Sequence, residues 1–141
     1  MIARFQRVAF RLAAVGAVAA AAIHILGLTV PAFAAVNYPG YPAWRHGVFI
    51  AINLSAAWLF VRRPWWFVWA YAVLTAQVLY SHGGSAWTSW QRDGRVAWID
   101  AAALIAIPLA LVLLAVDYRA MRASAANEPR DRSEPAVHLR R

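Results

Sequence analysis

Two histidines and one aspartate stand at the ends of long apolar runs in this chain. His46 precedes Gly47 where one run begins, His82 precedes Gly83 where the next run ends, and Asp100 opens a third. Imidazole nitrogens and carboxylate oxygens are ligands that zinc, ferrous iron and cupric copper prefer. If the three side chains converge in space, the sequence predicts a metal site formed by His46, His82 and Asp100.

Other polar residues lie inside or beside the same runs. The candidate ligand-binding or outer-shell residues are His24, Asn53, Gln77, Tyr80 and Arg45. Polar side chains in a membrane span are costly and tend to face the interior of a helical bundle. At 1.5 Å rise per residue, we expect a second polar layer roughly 7–15 Å deeper than the metal candidates, formed by His24, Asn53 and Gln77.

Each candidate also has an ordinary structural interpretation. His82 before a glycine is typical of a helix C-terminus, where the helix dipole favours a cation. Asp100 is favoured by the same dipole in a first helical turn, and it can pair with Arg95 or Arg45. Gln77 and His82 are five residues apart, which rotates them by about 140° around a helix. The sequence therefore leaves open whether His82 points inward or toward lipid headgroups.

The apolar runs that position these residues are long enough to cross a membrane. The chain has 141 residues, of which 62% are hydrophobic and 14% charged, whereas soluble domains carry roughly a quarter charged residues. A span takes about 20 residues. We expect an all-α integral membrane protein, an antiparallel up-and-down four-helix bundle over residues 1–118, with helices at about 8–34, 44–61, 65–82 and 97–117.

The arginines predict how this bundle is oriented. The net charge is +8 and no lysine is present. Most arginines precede the first span, separate the second from the third or follow the fourth, while Arg45, Arg92 and Arg95 fall on the opposite side. The positive-inside rule then places both termini in the cytoplasm of a bacterial-type inner membrane. Because topology accounts for the basicity, we expect a lipid bilayer as partner and no nucleic acid. The chain has no cysteine, which excludes disulfides and thiolate ligands.

Proline and glycine set the expected helix ends. Pro31 is expected to bend or end the first helix, Gly83 and Gly84 to end the third, and Pro108 to kink the fourth. Residues 119–141 are polar without apolar periodicity, and we expect a disordered cytoplasmic tail there.

The first helix also resembles a secretory signal. Arginines, an apolar stretch and Ala32-Phe33-Ala34 follow one another as they do before an A-x-A cleavage site. The apolar stretch exceeds the roughly 7–15 residues usual for a signal, and it carries His24. We therefore expect an uncleaved first helix.

Several functions fit this organisation. We favour a small multi-pass protein whose polar site, in the outer half of the bundle, binds a divalent metal ion or a small ligand without catalysis. The alternatives are an accessory or scaffold subunit of a larger membrane complex, a b-type haem protein with two histidine ligands, or a small-substrate carrier working as a homodimer. An enzyme that acts on a lipid or quinone through a histidine acid–base group is a further alternative.

Overall fold

The computed structural model describes residues 2–38 and 40–127. Over these residues the chain is helical, without strands, which confirms the predicted all-α class. The helices are α1 (Ile2–Thr29), α2 (Pro31–Asn37), α3 (Ala43–Arg62), α4 (Phe67–Asp93) and α5 (Trp98–Ala126). Three segments among the described residues are long and apolar enough to cross a membrane, namely Arg4–Thr29, Ala43–Arg62 and Trp98–Ala126. Helix α4 has a similar length, 27 residues, but is more polar.

Helix α1 packs antiparallel against α3. At one end of this pair the rings of Phe10 and Phe60 are 6.4 Å apart. At the other end the Nδ1 atoms of His24 and His46 are 3.3 Å apart. The chain therefore turns back on itself through α2 and the short segment that follows it.

Helix α4 packs antiparallel against α5 in the same way. The rings of Trp69 and Tyr118 are 5.9 Å apart at one end of this pair. At the other end Nδ1 of His82 lies 2.7 Å from Oδ1 of Asp100. The four long helices thus form two helical hairpins, one of α1 and α3 and the other of α4 and α5.

An aromatic core joins the two hairpins. Its buried members are Phe10, Ala56, Phe60, Phe67, Val68, Tyr71 and Leu114. The ring of Phe60 meets those of Phe67 and Tyr71 nearly edge-on, with centroids 5.1 and 5.2 Å apart. We call this end of the helices the core end, and the opposite end, which carries His24, His46, His82 and Asp100, the histidine end.

Helix α4 extends through the glycine pair that was expected to end it. The predicted end at His82 is wrong, since the helix continues through Gly83 and Gly84 to Asp93. Glycine costs a helix interior only about 1 kcal/mol, so it does not end a helix by itself. The left-handed cap is Gly94, with φ 63°, and its N–H donates to the carbonyl oxygen of Trp90 at 2.9 Å.

Pro31 breaks the first helix, as the sequence predicts. Helix α1 ends at Thr29, and extended Val30 (φ −118°) precedes Pro31, which begins α2. The residue before a proline avoids helical geometry, so the first helix stops short of the expected 34. Pro108 lies inside α5, and the kink expected there stays a prediction.

The C-terminal end of α5 also differs from the sequence-based expectation. This helix continues to Ala126, beyond the expected end near 117, so residues 119–126 of the predicted tail are helical. Residues 128–141 of that predicted tail lie outside the described residues.

Candidate functional site

His24 and His46 make a direct contact between α1 and α3. With their Nδ1 atoms 3.3 Å apart, one imidazole must donate and the other accept, so the hydrogen bond needs a single proton between the two nitrogens. The ring of His24 stacks on that of Phe49, with centroids 5.1 Å apart and planes 14° apart, and also on Tyr38 at 5.7 Å. His46 is 3% exposed. Packing therefore holds both rings in place.

Gly27 allows His46 to approach α1 this closely. A Cβ atom at Gly27 would lie 2.6 Å from Cε1 and 2.9 Å from Nδ1 of His46, and 3.1 Å from Cδ2 of Tyr38. These are atoms of buried rings, which cannot shift without losing their other contacts. The position therefore requires a residue without a side chain.

His82 and Asp100 form the second pair, between α4 and α5. Nδ1 of His82 donates to Oδ1 of Asp100 at 2.7 Å, and the hydroxyl of Ser85 donates to Oδ2 at 2.9 Å. Asp100 is buried in the first turn of α5, where the helix dipole favours a carboxylate. In a neutral imidazole, a carboxylate bound to Nδ1–H fixes the tautomer and leaves Nε2 as an acceptor. His82 can therefore accept a hydrogen bond or a proton from a bound molecule.

An apolar cavity of about 610 Å³ lies between α1 and α5 and reaches the histidine end. Its wall is rich in alanine, whose small side chains leave the space open; examples are Ala13, Ala17, Ala20, Ala103, Ala106 and Ala110. The side chains with polar groups on its lining are His24, Tyr38, Asn53, His82 and Trp98 at the histidine end, and Tyr71 of the aromatic core. None of the described residues that line it is Lys, Arg, Asp or Glu. The cavity therefore combines a long apolar wall with an uncharged polar end.

Tyr38, in the segment between α2 and α3, brings a hydrogen-bond donor to this end. Burial, followed by the nearby carboxyl of Asp100 and then by Tyr41, raises the pKa of Tyr38 to about 12. The phenol therefore remains protonated at neutral pH and can donate. His24 and His82, one from each histidine pair, line the same end of the cavity as Tyr38.

The structure does not bring His46, His82 and Asp100 together as one group. His46 meets His24, whereas His82 meets Asp100. In the described part of the chain, no group of three or more His, Cys, Asp or Glu side chains is arranged to hold a metal ion. The reason lies in the packing, since His46 and His82 each contact a partner within their own helical hairpin.

Of the three residues expected in the deeper polar layer, His24 lies at the depth of His46 instead. Helix α1 ends at Thr29, so His24 lies near the end of that helix and reaches His46. Asn53 lines the cavity, while its Nδ2 donates to the carbonyl oxygen of Phe49 at 2.8 Å.

The remaining candidates lie outside this cavity. Nε2 of Gln77 donates to the hydroxyl of Ser81 at 3.3 Å, on a different face of α4 from His82. Tyr80 is 86% exposed. The guanidinium of Arg45 lies over the ring of Tyr41, 4.3 Å from its centroid. Of the candidate side chains on α4, His82 alone is turned toward the cavity.

Three contributors to the site were missed at the level of sequence. Ser85 lies one helical turn beyond His82, but it shares that face only if α4 continues through the glycines. Gly27 follows His24 by three residues on α1, and this spacing is a weak signal for close packing. Tyr38 gives no signal in the sequence, because its position depends on how α2 ends.

The histidine end thus offers an oriented acceptor from His82 and a donor from Tyr38 beside an apolar cavity. The chain matches no protein-family model, no curated protein and no solved structure. Function is therefore inferred from the chemistry of the site.

Proposed function

We propose that the protein binds a neutral amphiphile in the cavity between α1 and α5. The observation that carries this proposal is an apolar space of about 610 Å³ that ends on His24, Tyr38 and His82. Ligand pockets typically measure about 300–1,000 Å³ and combine an apolar lining with a few polar groups. The polar head lies at the histidine end and the apolar tail runs along the alanine wall.

The hydrogen-bonding groups specify the kind of head. His82, held through Nδ1 by Asp100, accepts a hydrogen bond at Nε2, and protonated Tyr38 donates one. The head therefore carries a hydroxyl and a second oxygen, as a glycerol or quinol head does. A charged head would be desolvated without an opposite charge, because the described residues that line the cavity include no Lys, Arg, Asp or Glu.

The membrane arrangement is part of the same proposal. All four long helices span a bacterial-type inner membrane as an antiparallel bundle, with both termini in the cytoplasm. Support comes from the arginines: Arg7, Arg11, Arg62, Arg63, Arg119 and Arg122 lie toward the core end, against Arg45, Arg92 and Arg95 toward the other. Helix α4 spans because it packs along α5, which covers part of its polar face.

Native mass spectrometry of the detergent-solubilised protein with 1-oleoylglycerol tests the binding proposal. Wild type is expected to retain the lipid. Ala103→Phe fills the cavity and should reduce retention by about tenfold, the loss expected when roughly 1.4 kcal/mol of binding free energy is removed. His82→Gln can still donate to Asp100 but displaces the acceptor, so it should also weaken retention.

The matched control is Ile105→Phe, which adds a ring to the same helix at a residue that is 63% exposed. It should bind as wild type does. Equal retention by wild type, Ala103→Phe and His82→Gln would refute the proposal, as would no retention by wild type.

A further inference from the structure

A second apolar opening separates α3 from α4, although these helices follow each other in the chain. This cleft measures about 760 Å³ and runs from Trp44 near the start of α3 to Phe67 at the start of α4. The side chains that line both spaces, and so separate the cleft from the cavity, are Phe49, Ile52, Ala56, Tyr71 and Leu74. An apolar cleft at membrane depth is filled by hydrocarbon, because water would leave its walls without favourable contacts.

Arg45 gives this cleft a positive charge at the histidine end. It is the one charged residue among the described residues that line the cleft, which include no Asp or Glu. Its guanidinium lies over the ring of Tyr41, and within residues 2–38 and 40–127 no carboxylate lies within ion-pair distance of it. The N–H donors of Arg45 are thus available to an anion, and guanidinium binds phosphate oxygens well.

The carboxamide of Gln77 lies deeper in the cleft than the guanidinium of Arg45. Gln77 lines the cleft from α4. Tyr71 of α4 faces Phe60 of α3, and the two helices run in opposite directions, so Gln77, six residues beyond Tyr71, lies level with about residues 50–54 of α3. At 1.5 Å rise per residue this is roughly 10 Å deeper than Arg45. The sequence of groups along the cleft is therefore a cation, an amide and then hydrocarbon.

We propose that the cleft between α3 and α4 binds one anionic phospholipid. Arg45 binds the phosphate, Gln77 lies at the depth of the ester carbonyls, and an acyl chain fills the apolar part. An anionic head is favoured over a zwitterionic one because no carboxylate among the lining residues would receive the second, cationic group. This site rests on the membrane arrangement proposed above but not on amphiphile binding between α1 and α5, so either lipid can fail to bind without affecting the other proposal.

The test measures lipid retention by native mass spectrometry after solubilisation in an equimolar mixture of phosphatidylglycerol and phosphatidylcholine. Wild type should retain phosphatidylglycerol about fivefold more than phosphatidylcholine, the preference that one arginine near an anionic surface provides. Arg45→Gln should abolish this preference and Arg45→Lys should keep most of it. Ala70→Trp fills the cleft and should lower retention of both lipids.

Arg92→Gln is the matched control. Arg92 lies toward the same end of the protein but is exposed, outside the cleft and paired with Asp93 at 2.7 Å. Its removal should leave the preference unchanged. The proposal is overturned if wild type retains both lipids equally, if Arg45→Gln keeps the preference, or if Arg92→Gln removes it as fully as Arg45→Gln.

Discussion

At the scale of single residues, the chemistry of the histidine end depends on which atom each imidazole presents. His82 uses Nδ1 to reach Asp100, so Nε2 is the atom left for a bound molecule. His24 and His46 face each other through Nδ1 and hold their bond only while one of these two nitrogens is unprotonated. One pair therefore offers an oriented acceptor, and the other fixes the wall of the cavity.

Gly27→Ala tests this packing directly. The added Cβ would overlap the buried ring of His46, so we expect a loss of about 1–3 kcal/mol in the free energy of unfolding, the usual cost of overpacking. Thermal unfolding of the solubilised protein measures it. Gly16→Ala on the same helix is the control, because a Cβ there has no neighbour within 4 Å and should be neutral or stabilising. Equal effects of the two changes would contradict the close approach of α1 and α3.

At the scale of elements, the glycines of α4 show why helix ends are hard to predict. Gly83 and Gly84 lie within the helix, and the cap is Gly94, which has a positive φ of 63°. All three are glycines after a polar residue or another glycine, so local sequence does not separate them. The difference between these glycines lies in their tertiary contacts. A helix that continues through Gly83 and Gly84 lets both His82 and Ser85 form hydrogen bonds with Asp100.

Alanine substitutions in α4 distinguish the two kinds of glycine. Gly83→Ala should raise the free energy of unfolding by about 0.5–1 kcal/mol, because alanine is the better helix former and a Cβ there has open space. Gly94→Ala should lower it by about 1–2 kcal/mol, the cost of a left-handed conformation for a residue with a Cβ. Chemical or thermal unfolding compares them. Destabilisation by Gly83→Ala would mean that α4 ends where the sequence alone suggested.

At the scale of the whole molecule, two helical hairpins are joined by the aromatic core at the core end, and two open spaces extend between them. The aromatic core takes residues from α1, α3, α4 and α5. The cavity between α1 and α5 extends from Ala9 near the core end to His24 and His82, and the cleft between α3 and α4 extends from Phe67 to Trp44. The protein therefore has its buried aromatic core at one end and provides binding space along the helices.

Phe60→Ala tests this division. Phe60 is 2% exposed and contacts the rings of Phe10, Phe67 and Tyr71, so its removal should cost about 3–5 kcal/mol and loosen both hairpins. Trp58→Ala removes a larger ring from the same helix, but Trp58 is 59% exposed and its loss should have a small effect. The unfolding midpoints of both variants give the comparison. A smaller loss of stability for Phe60→Ala than for Trp58→Ala would contradict the view that the aromatic core joins the two hairpins.

The sequence by itself determined the helical class and the break at Pro31. It also identified His24, His82 and Asp100 as candidate site residues. These follow from hydropathy, proline geometry and the cost of polar groups in apolar runs, all of which act along the chain. It also predicted that Gln77 and His82 point in different directions, as their spacing on a helix requires.

Only the tertiary structure decided which of these residues meet. The expected grouping of His46 with His82 and Asp100 required α3, α4 and α5 to share one contact, whereas α3 pairs with α1 instead. Partner choice between helices depends on surfaces distant in sequence, such as Gly27 against His46 and the aromatic core at the opposite end. Helical periodicity states which face a residue occupies, but the packing of the two hairpins decides what that face contacts.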